Sequence, residues 1–278
     1  MISPALMFWY ELAGKMAMTA AIVVVASVAV ERSGPFLGAL IAALPTAAGA
    51  AYIILAIEHP PAFIAASAVG SAAATAAVSI FAAAYVVLAQ RHGLALSLSA
   101  ALVVWFAGAA ALRLVDWTPL SAAVMLAIVF GFTIPLNWRF RTGGPPPKVM
   151  RNTLDIPLRA LTAAVVVAIV TTASYSIGSF ASGMFAVFPI VICSFVVILH
   201  PRIGGRATAS VLAHAQPALV GLALGFLAVH YLVAPIGVWL ALAIGLGVCV
   251  AWSGLLWGVR TRVTRLEQSE SRERRHGS

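Results

Sequence analysis

Charge is what this chain has least of. Only 9% of its 278 residues are Asp, Glu, Lys or Arg, and 62% are apolar or aromatic. A soluble domain carries about 25% charged residues. The balance excludes an ordinary water-soluble enzyme, a nucleic-acid module and a disordered chain. Cysteine is nearly missing as well: Cys193 and Cys249 are the two, each inside an apolar run. Without C-x-x-C or a Cys/His cluster at ligand spacing, neither a metal site nor a disulfide framework is expected. Both thiols read as small buried apolar groups. No H-E-x-x-H, paired carboxylate or Ser/His pair stands out, so neither catalysis nor a cofactor is expected.

What the chain has is long apolar runs. Nine can be marked, at 12–30, 36–57, 62–89, 94–115, 118–136, 157–174, 180–199, 207–232 and 236–258. About 20 apolar residues span a bilayer, and backbone groups in lipid must bond within their own segment, which makes each run a helix. The fold class expected is an all-α polytopic membrane protein of about nine transmembrane helices. Glu11 and Lys15 interrupt the N-terminus, so 12–30 reads as a retained span and not as a signal peptide. The one long loop is marked by Gly143-Gly144-Pro145-Pro146-Pro147.

The net charge of +9 lies between the runs and sets orientation. With nine spans and the C-terminus inside, every basic residue of the 17 except Lys15 and Arg113 falls on the inner side. The expected location is a bacterial inner membrane, multi-pass, with the N-terminus periplasmic and the C-terminus cytoplasmic. Membrane lipids and a small solute are the expected partners, a homodimer is compatible with the pattern, and nucleic acid is not expected.

A shift of 144 residues brings two stretches together. Gly34 meets Gly178, Phe36 meets Phe180, Ala42 meets Ala186 and Pro45 meets Pro189. Ile54-Leu55 meets Ile198-Leu199, and a gap of three brings His59-Pro60 onto His200-Pro201. The reading is a duplication: a first four-helix repeat at 1–116, a linking helix at 117–138, a cytoplasmic loop at 139–155, a second repeat at 156–260 and a polar tail at 261–278. A single helix between four-span units inserts the second upside down. The result is a 4+1+4 inverted repeat, a recurring plan of secondary transporters.

The block from Gly34 to Pro45, GPFLGALIAALP, resembles a G-P-x-x-G-G-L-x-A-x-L-P signature of uncharacterised bacterial inner-membrane proteins, some built from one four-helix repeat. The organisation is similar to that of the drug/metabolite transporter superfamily, whose members duplicate a short helical unit in inverted orientation. Those carriers usually have ten helices and both termini inside, which this chain departs from. The resemblance implies a carrier-like fold and supplies no substrate.

Pro45 and Pro189 fall near the middle of two spans, where proline removes a hydrogen bond and kinks a helix. They read either as a paired hinge beside a substrate path or as packing kinks. Gly34, Gly38, Gly178 and Gly183 allow close helix approach. His214 and Gln216 form the most polar cluster within a span. A histidine there can couple protons, or it is a structural, hydrogen-bonded one. Glu58, His59 and His200 sit at span ends, as gates or as solvated loop residues. Glu11 with Lys15, and Arg113 with Asp116, read as ion pairs at helical spacing. Thr171, Thr172, Ser174, Tyr175, Ser176, Ser179 and Ser182 make a hydroxyl-rich outer corner, read either as a contact for a polar solute or as caps of two helix ends. Trp9, Trp105, Trp117, Trp138 and Trp257 fit interfacial belts. The tail from Thr261 reads as a short helix. The function expected is a secondary transporter, in one variant proton-coupled, for a small neutral or amphipathic solute. The alternatives are a non-catalytic subunit of a larger membrane complex and a lipid-acting enzyme.

Overall fold

In a computed structural model, residues 4–32, 45–141 and 155–276 are described, and all their regular structure is helical. Ten helices follow in order: α1 (Pro4–Arg32), α2 (Thr46–Glu58), α3 (Pro61–Leu88), α4 (Leu94–Leu112), α5 (Pro119–Trp138), α6 (Asp155–Ala186), α7 (Ile190–Ile203), α8 (Gly205–Ala215), α9 (Ala218–Ile236) and α10 (Val238–His276). Among the described residues, seven helices are long and apolar enough to cross a membrane, and α2 and α7 are shorter apolar helices. Val103, Ile128 and Phe132 are more than two-thirds exposed on α4 and α5. Large apolar side chains left this exposed along membrane-length helices belong against lipid. The protein is therefore a helical, multi-pass membrane protein.

Local chemistry sets the boundaries. Pro61 occupies the first turn of α3, where its missing N–H costs nothing. Thr118 caps α5 through a reciprocal pair of bonds with Ser121, whose N–H reaches the threonine hydroxyl at 3.1 Å. Gly178 (φ +79°), Gly204 (φ +84°) and Gly237 (φ +84°) take left-handed backbone, where a side chain would be strained. Gly178 interrupts α6 from within.

α3 organises the rest. It packs against α9, α6, α4, α5 and α8, and every residue from 67 to 79 is buried. Those residues are Ala, Ser, Thr, Gly and Val, whose small side chains let helix backbones approach. α6 approaches most closely. A Cβ on Gly70 would fall on the Phe180 carbonyl oxygen, and one on Gly183 on that of Ser67. The Ser67 and Ser71 hydroxyls donate across the same seam to the Ser179 and Gly183 carbonyls, at 2.9 and 2.6 Å. α1 leans on α6 and α2, and α10 pairs with α9.

Several expectations need correction. The spans read at 180–199 and 207–232 are not continuous helices. The first is interrupted at 187–189, and the second at Gln216 and Pro217. The cause is proline, which cannot donate to the ladder. Trp105 is no interfacial residue: it is fully buried against Phe185 and Phe188. Lys15 pairs with Glu58 at 2.6 Å rather than with Glu11, and Arg113 forms no ion pair with Asp116. The tail from Thr261 is not a separate short helix but the continuation of α10.

Candidate functional site

The site begins with two helix starts. Pro45 and Pro189 are not kinks inside helices. They stand at the N-caps of α2 and α7, with φ/ψ of −77°/67° and −74°/40°. Each proline carbonyl accepts the first ladder bond, from the Gly49 N–H at 2.7 Å and the Cys193 N–H at 2.8 Å. The Phe185 carbonyl, which a mid-helix Pro189 would have left bare, accepts the Phe188 N–H at 3.0 Å. The first N–H groups of an α-helix lack intrahelical acceptors and carry its positive dipole end. Two such ends lie at residues 144 apart in sequence.

Both ends open on the same space. A cavity of about 420 Å³ is lined by Pro45 and Thr46, by Pro189, by His214 and Gln216, and by Ser253 and Trp257 of α10. Cys249 also lines it, and so do Val78 and Ala82 of α3. Among the described lining residues there is no carboxylate, lysine or arginine. The chemistry available is apolar wall, a few hydrogen-bonding groups and two helix N-termini.

His214 is half-buried there, and its Nδ1–H donates to the Ser210 carbonyl at 2.8 Å. That bond fixes the tautomer, since a carbonyl can only accept. Gln216 is braced instead of free. Its Nε2 donates to the Ser79 hydroxyl at 2.9 Å, and its Oε1 accepts the Asn137 Nδ2–H at 2.7 Å. Ser79 in turn meets Thr133 at 2.8 Å, and Thr133 donates to the Val129 carbonyl. The amide therefore ties α3, α5 and α8 together behind the cavity wall. Pro217 leaves the Ala213 carbonyl without its ladder donor, and the Arg141 Nε–H supplies one at 3.1 Å.

The two matched histidines close opposite ends of α3. The 28 residues of this helix measure about 42 Å at ~1.5 Å each. At its start, Ser174 spends its proton on the Thr171 carbonyl (2.6 Å), so the His59 Nε2–H donates to Ser174 Oγ at 2.7 Å. His59 stacks on Phe63 with centroids 3.8 Å apart and lies against Tyr175 at 4.4 Å. The Lys15–Glu58 pair adjoins it. Burial pushes His59 below the ordinary histidine range. The Glu58 carboxylate partly offsets this, and the Lys15 ammonium adds to it. At the other end, His200 Nδ1 shares a 2.7 Å hydrogen bond with the Tyr85 hydroxyl.

The structure thus gathers Pro45, Pro189, His214 and Gln216 on one cavity. It sends Glu58 and His59 to one end of α3 and His200 to the other. Gly183 lies at the α3–α6 seam, Gly178 at the break in α6, and Gly34 and Gly38 lie outside the described residues. The hydroxyl corner serves internal bonds: Thr171 donates to Val167 O and Ser182 to Gly178 O. Ser79, Tyr85, Thr133 and Asn137 were not singled out from sequence. One signal was present: Ser67, Ser71, Thr75 and Ser79 recur every fourth residue, a hydroxyl stripe on one helical face. Compared with protein-family models, with curated proteins and with solved structures, the chain matches none.

Proposed function

We propose that the protein is a secondary carrier for a small neutral or amphipathic solute, and that the cavity between α2 and α7 is its binding site. The observation that carries this reading is the shared cavity of Pro45 and Pro189. Two short helices with similar caps, at matching places in the 144-residue register, start at one space beside an ionisable His214. Broken helices whose ends meet at a central site are a recurring device of inverted-repeat carriers. The proposal includes nine crossings in a 4+1+4 inverted repeat. In it, α2 and α7 supply the outer and inner parts of two broken crossings, the N-terminus is periplasmic and the C-terminus cytoplasmic in a bacterial inner membrane. The lining supports a solute without net charge, because a buried ion would find no countercharge there. The helix N-termini favour a solute that presents an acceptor oxygen.

Alternating exposure then needs an opening at each end of α3. His59 with Ser174, and His200 with Tyr85, are the contacts that would part. His214 is the candidate for proton coupling, as the histidine on the cavity wall.

The test is ligand binding by the full-length protein. A neutral-metabolite panel is screened by thermal shift, since a ligand of the folded form raises its apparent stability. Leu222→Trp, which fills the cavity, serves as control. A hit whose shift disappears in Leu222→Trp, and which enters protein-containing vesicles, supports the carrier. Hits unaffected by the filling substitution sink the site. A chain that binds no solute but copurifies with a fixed partner belongs to the subunit reading instead.

A further inference from the structure

Away from the central cavity, a second one of about 490 Å³ lies where α3 ends and α8 begins. Its walls are Val87, Leu88, Gln90, Arg91, His92, Phe140 and Arg206. We propose that this is a binding site for the headgroup of an anionic glycerophospholipid.

Charge is the first argument. Arg91 and Arg206 come from different helix ends and meet at one hollow, with His92 beside them. All three are exposed, and no carboxylate lines the cavity among the described residues. Arg206 is anchored through its Nε–H, which donates to the Gln90 carbonyl at 3.2 Å. Guanidinium carries five donors, so its Nη groups remain available for a phosphodiester.

Backbone polarity is the second argument. The C-terminal end of a helix normally repels anions through its bare carbonyls. Here those carbonyls are engaged. Tyr85 O accepts the Ala89 N–H, Val86 O the Gln90 side chain, and Val87 O the Gln90 N–H. Leu88 O accepts both the Arg91 and the His92 N–H. The negative end of α3 is masked where the arginines gather.

Depth and wall chemistry select a lipid over a free anion. Leu88 is the last residue of a membrane-length apolar helix, and Arg91 follows within one turn. That is headgroup level. Val87 is 42% exposed and, with Leu88 and Phe140, gives the hollow an apolar side. A glycerol backbone and first acyl carbons need such a side, and inorganic phosphate does not. The missing carboxylate selects net negative charge, because the ammonium of a zwitterionic headgroup would find no partner. Basic hollows between helices at a membrane surface bind anionic headgroups by this chemistry.

Native mass spectrometry of the full-length, delipidated protein tests the proposal. The probes are dioleoyl phosphatidylglycerol, dioleoyl phosphatidylcholine and inorganic phosphate. One phosphatidylglycerol should bind at least about tenfold more tightly than phosphatidylcholine, on the scale expected for two basic residues at an anionic surface. Arg91→Gln with Arg206→Gln should abolish that preference. Arg91→Lys with Arg206→Lys should keep most of it, and Arg262→Gln, an exposed residue of α10, should leave it unchanged. Equal binding of the two lipids by the wild type overturns the site, and that comparison needs no variant to fold. So does equal loss in Arg262→Gln, which would mean a diffuse basic surface. Phosphate displacing the lipid at matched concentration would mean a free-anion site and overturns the lipid assignment.

Discussion

The two ends of α3 are closed differently. At its start, the chain stacks several layers: the Lys15–Glu58 pair, the His59–Ser174 bond, the ring stack on Phe63, and the seam where Gly70 and Gly183 let α3 and α6 touch. At its finish, cross-links to the second half are the Tyr85–His200 bond and the Arg206–Gln90 bond, with the Gln216 network behind them. Both closures use a histidine followed by proline, yet the start meets along a two-glycine seam, whereas the finish has one such close approach, Gly205 on the Ala89 carbonyl oxygen, and is otherwise tethered. Releasing the finish means parting two side-chain bonds and one backbone contact, whereas the seam must come apart along its length. The finishing end of α3 is therefore the easier one to open.

The largest effect should come from the seam. Gly183→Ala puts a methyl onto the Ser67 carbonyl, and overpacking of this kind costs about 3 kcal/mol. Thermal unfolding in detergent should show it as the largest loss in this series. A neutral result would mean that the seam yields, and the contrast between ends would fail. Next, Gln216→Leu leaves the Asn137 Nδ2–H without its acceptor, while the Ser79 hydroxyl keeps Thr133. A buried group left unsatisfied costs about 2 kcal/mol, which the same unfolding assay should register.

Glu58→Gln removes the ion pair but keeps the shape. The pair is partly buried, with its two side chains 13% and 19% exposed. The loss should be about 1–2 kcal/mol, between an exposed and a fully buried pair, with faster maleimide labelling of a cysteine placed at Thr172. Tyr85→Phe deletes one hydrogen bond, about 1 kcal/mol, and should speed labelling of a cysteine at Ala215 on the cavity wall. If Tyr85→Phe destabilises as much as Gly183→Ala, the tether is no tether.

The smallest effect is that of pH. His59 is held below its usual range, so the folded protein favours the neutral ring. Between that depressed value and the ordinary histidine value of about 6.5, the unfolded chain binds more protons. The contribution of His59 is therefore complete above about pH 6.5 and is lost as pH falls through the depressed value. His59→Gln should flatten that part of the stability profile. An unchanged profile would remove His59 from the closure at the start of α3.

Much of this was readable in the residues, and the failures have physical causes. The apolar runs at 94–115, 118–136 and 236–258 begin or end within a few residues of α4, α5 and the membrane part of α10, because lipid demands continuous helix there. Pro45 and Pro189 could be paired by register, but whether a proline kinks or ends a helix depends on what accepts the neighbouring carbonyls. Here the Phe188 N–H does so for Phe185, a local turn that hydropathy cannot show. Trp105 was misplaced because a tryptophan at the core and one at the interface look alike in sequence. By hydropathy the central place of α3 is hidden for the same reason, since it is as apolar as α4 and α5; its hydroxyl stripe is the one feature of the sequence that sets it apart. The meeting of His214 with the two prolines, and the bracing of Gln216 by Ser79 and Asn137, come from the convergence of segments distant in sequence, which hydropathy does not show.

The hydroxyl stripe of α3 also sets an order of events during synthesis. Ser67, Ser71 and Ser79 bond to residues 112 or more positions downstream. When α3 leaves the ribosome and enters the bilayer, none of those partners has been made. Ser71 can already meet the upstream Tyr52 hydroxyl, 2.7 Å away in the finished protein, but Ser67 and Ser79 must meanwhile turn back onto their own helix, as Thr75 does by donating to the Ser71 carbonyl at 2.8 Å. Chain growth is about 5–20 residues per second, so the wait lasts on the order of ten seconds. A nascent chain arrested before α6 would hold a helix suited to protein neighbours in a bed of lipid.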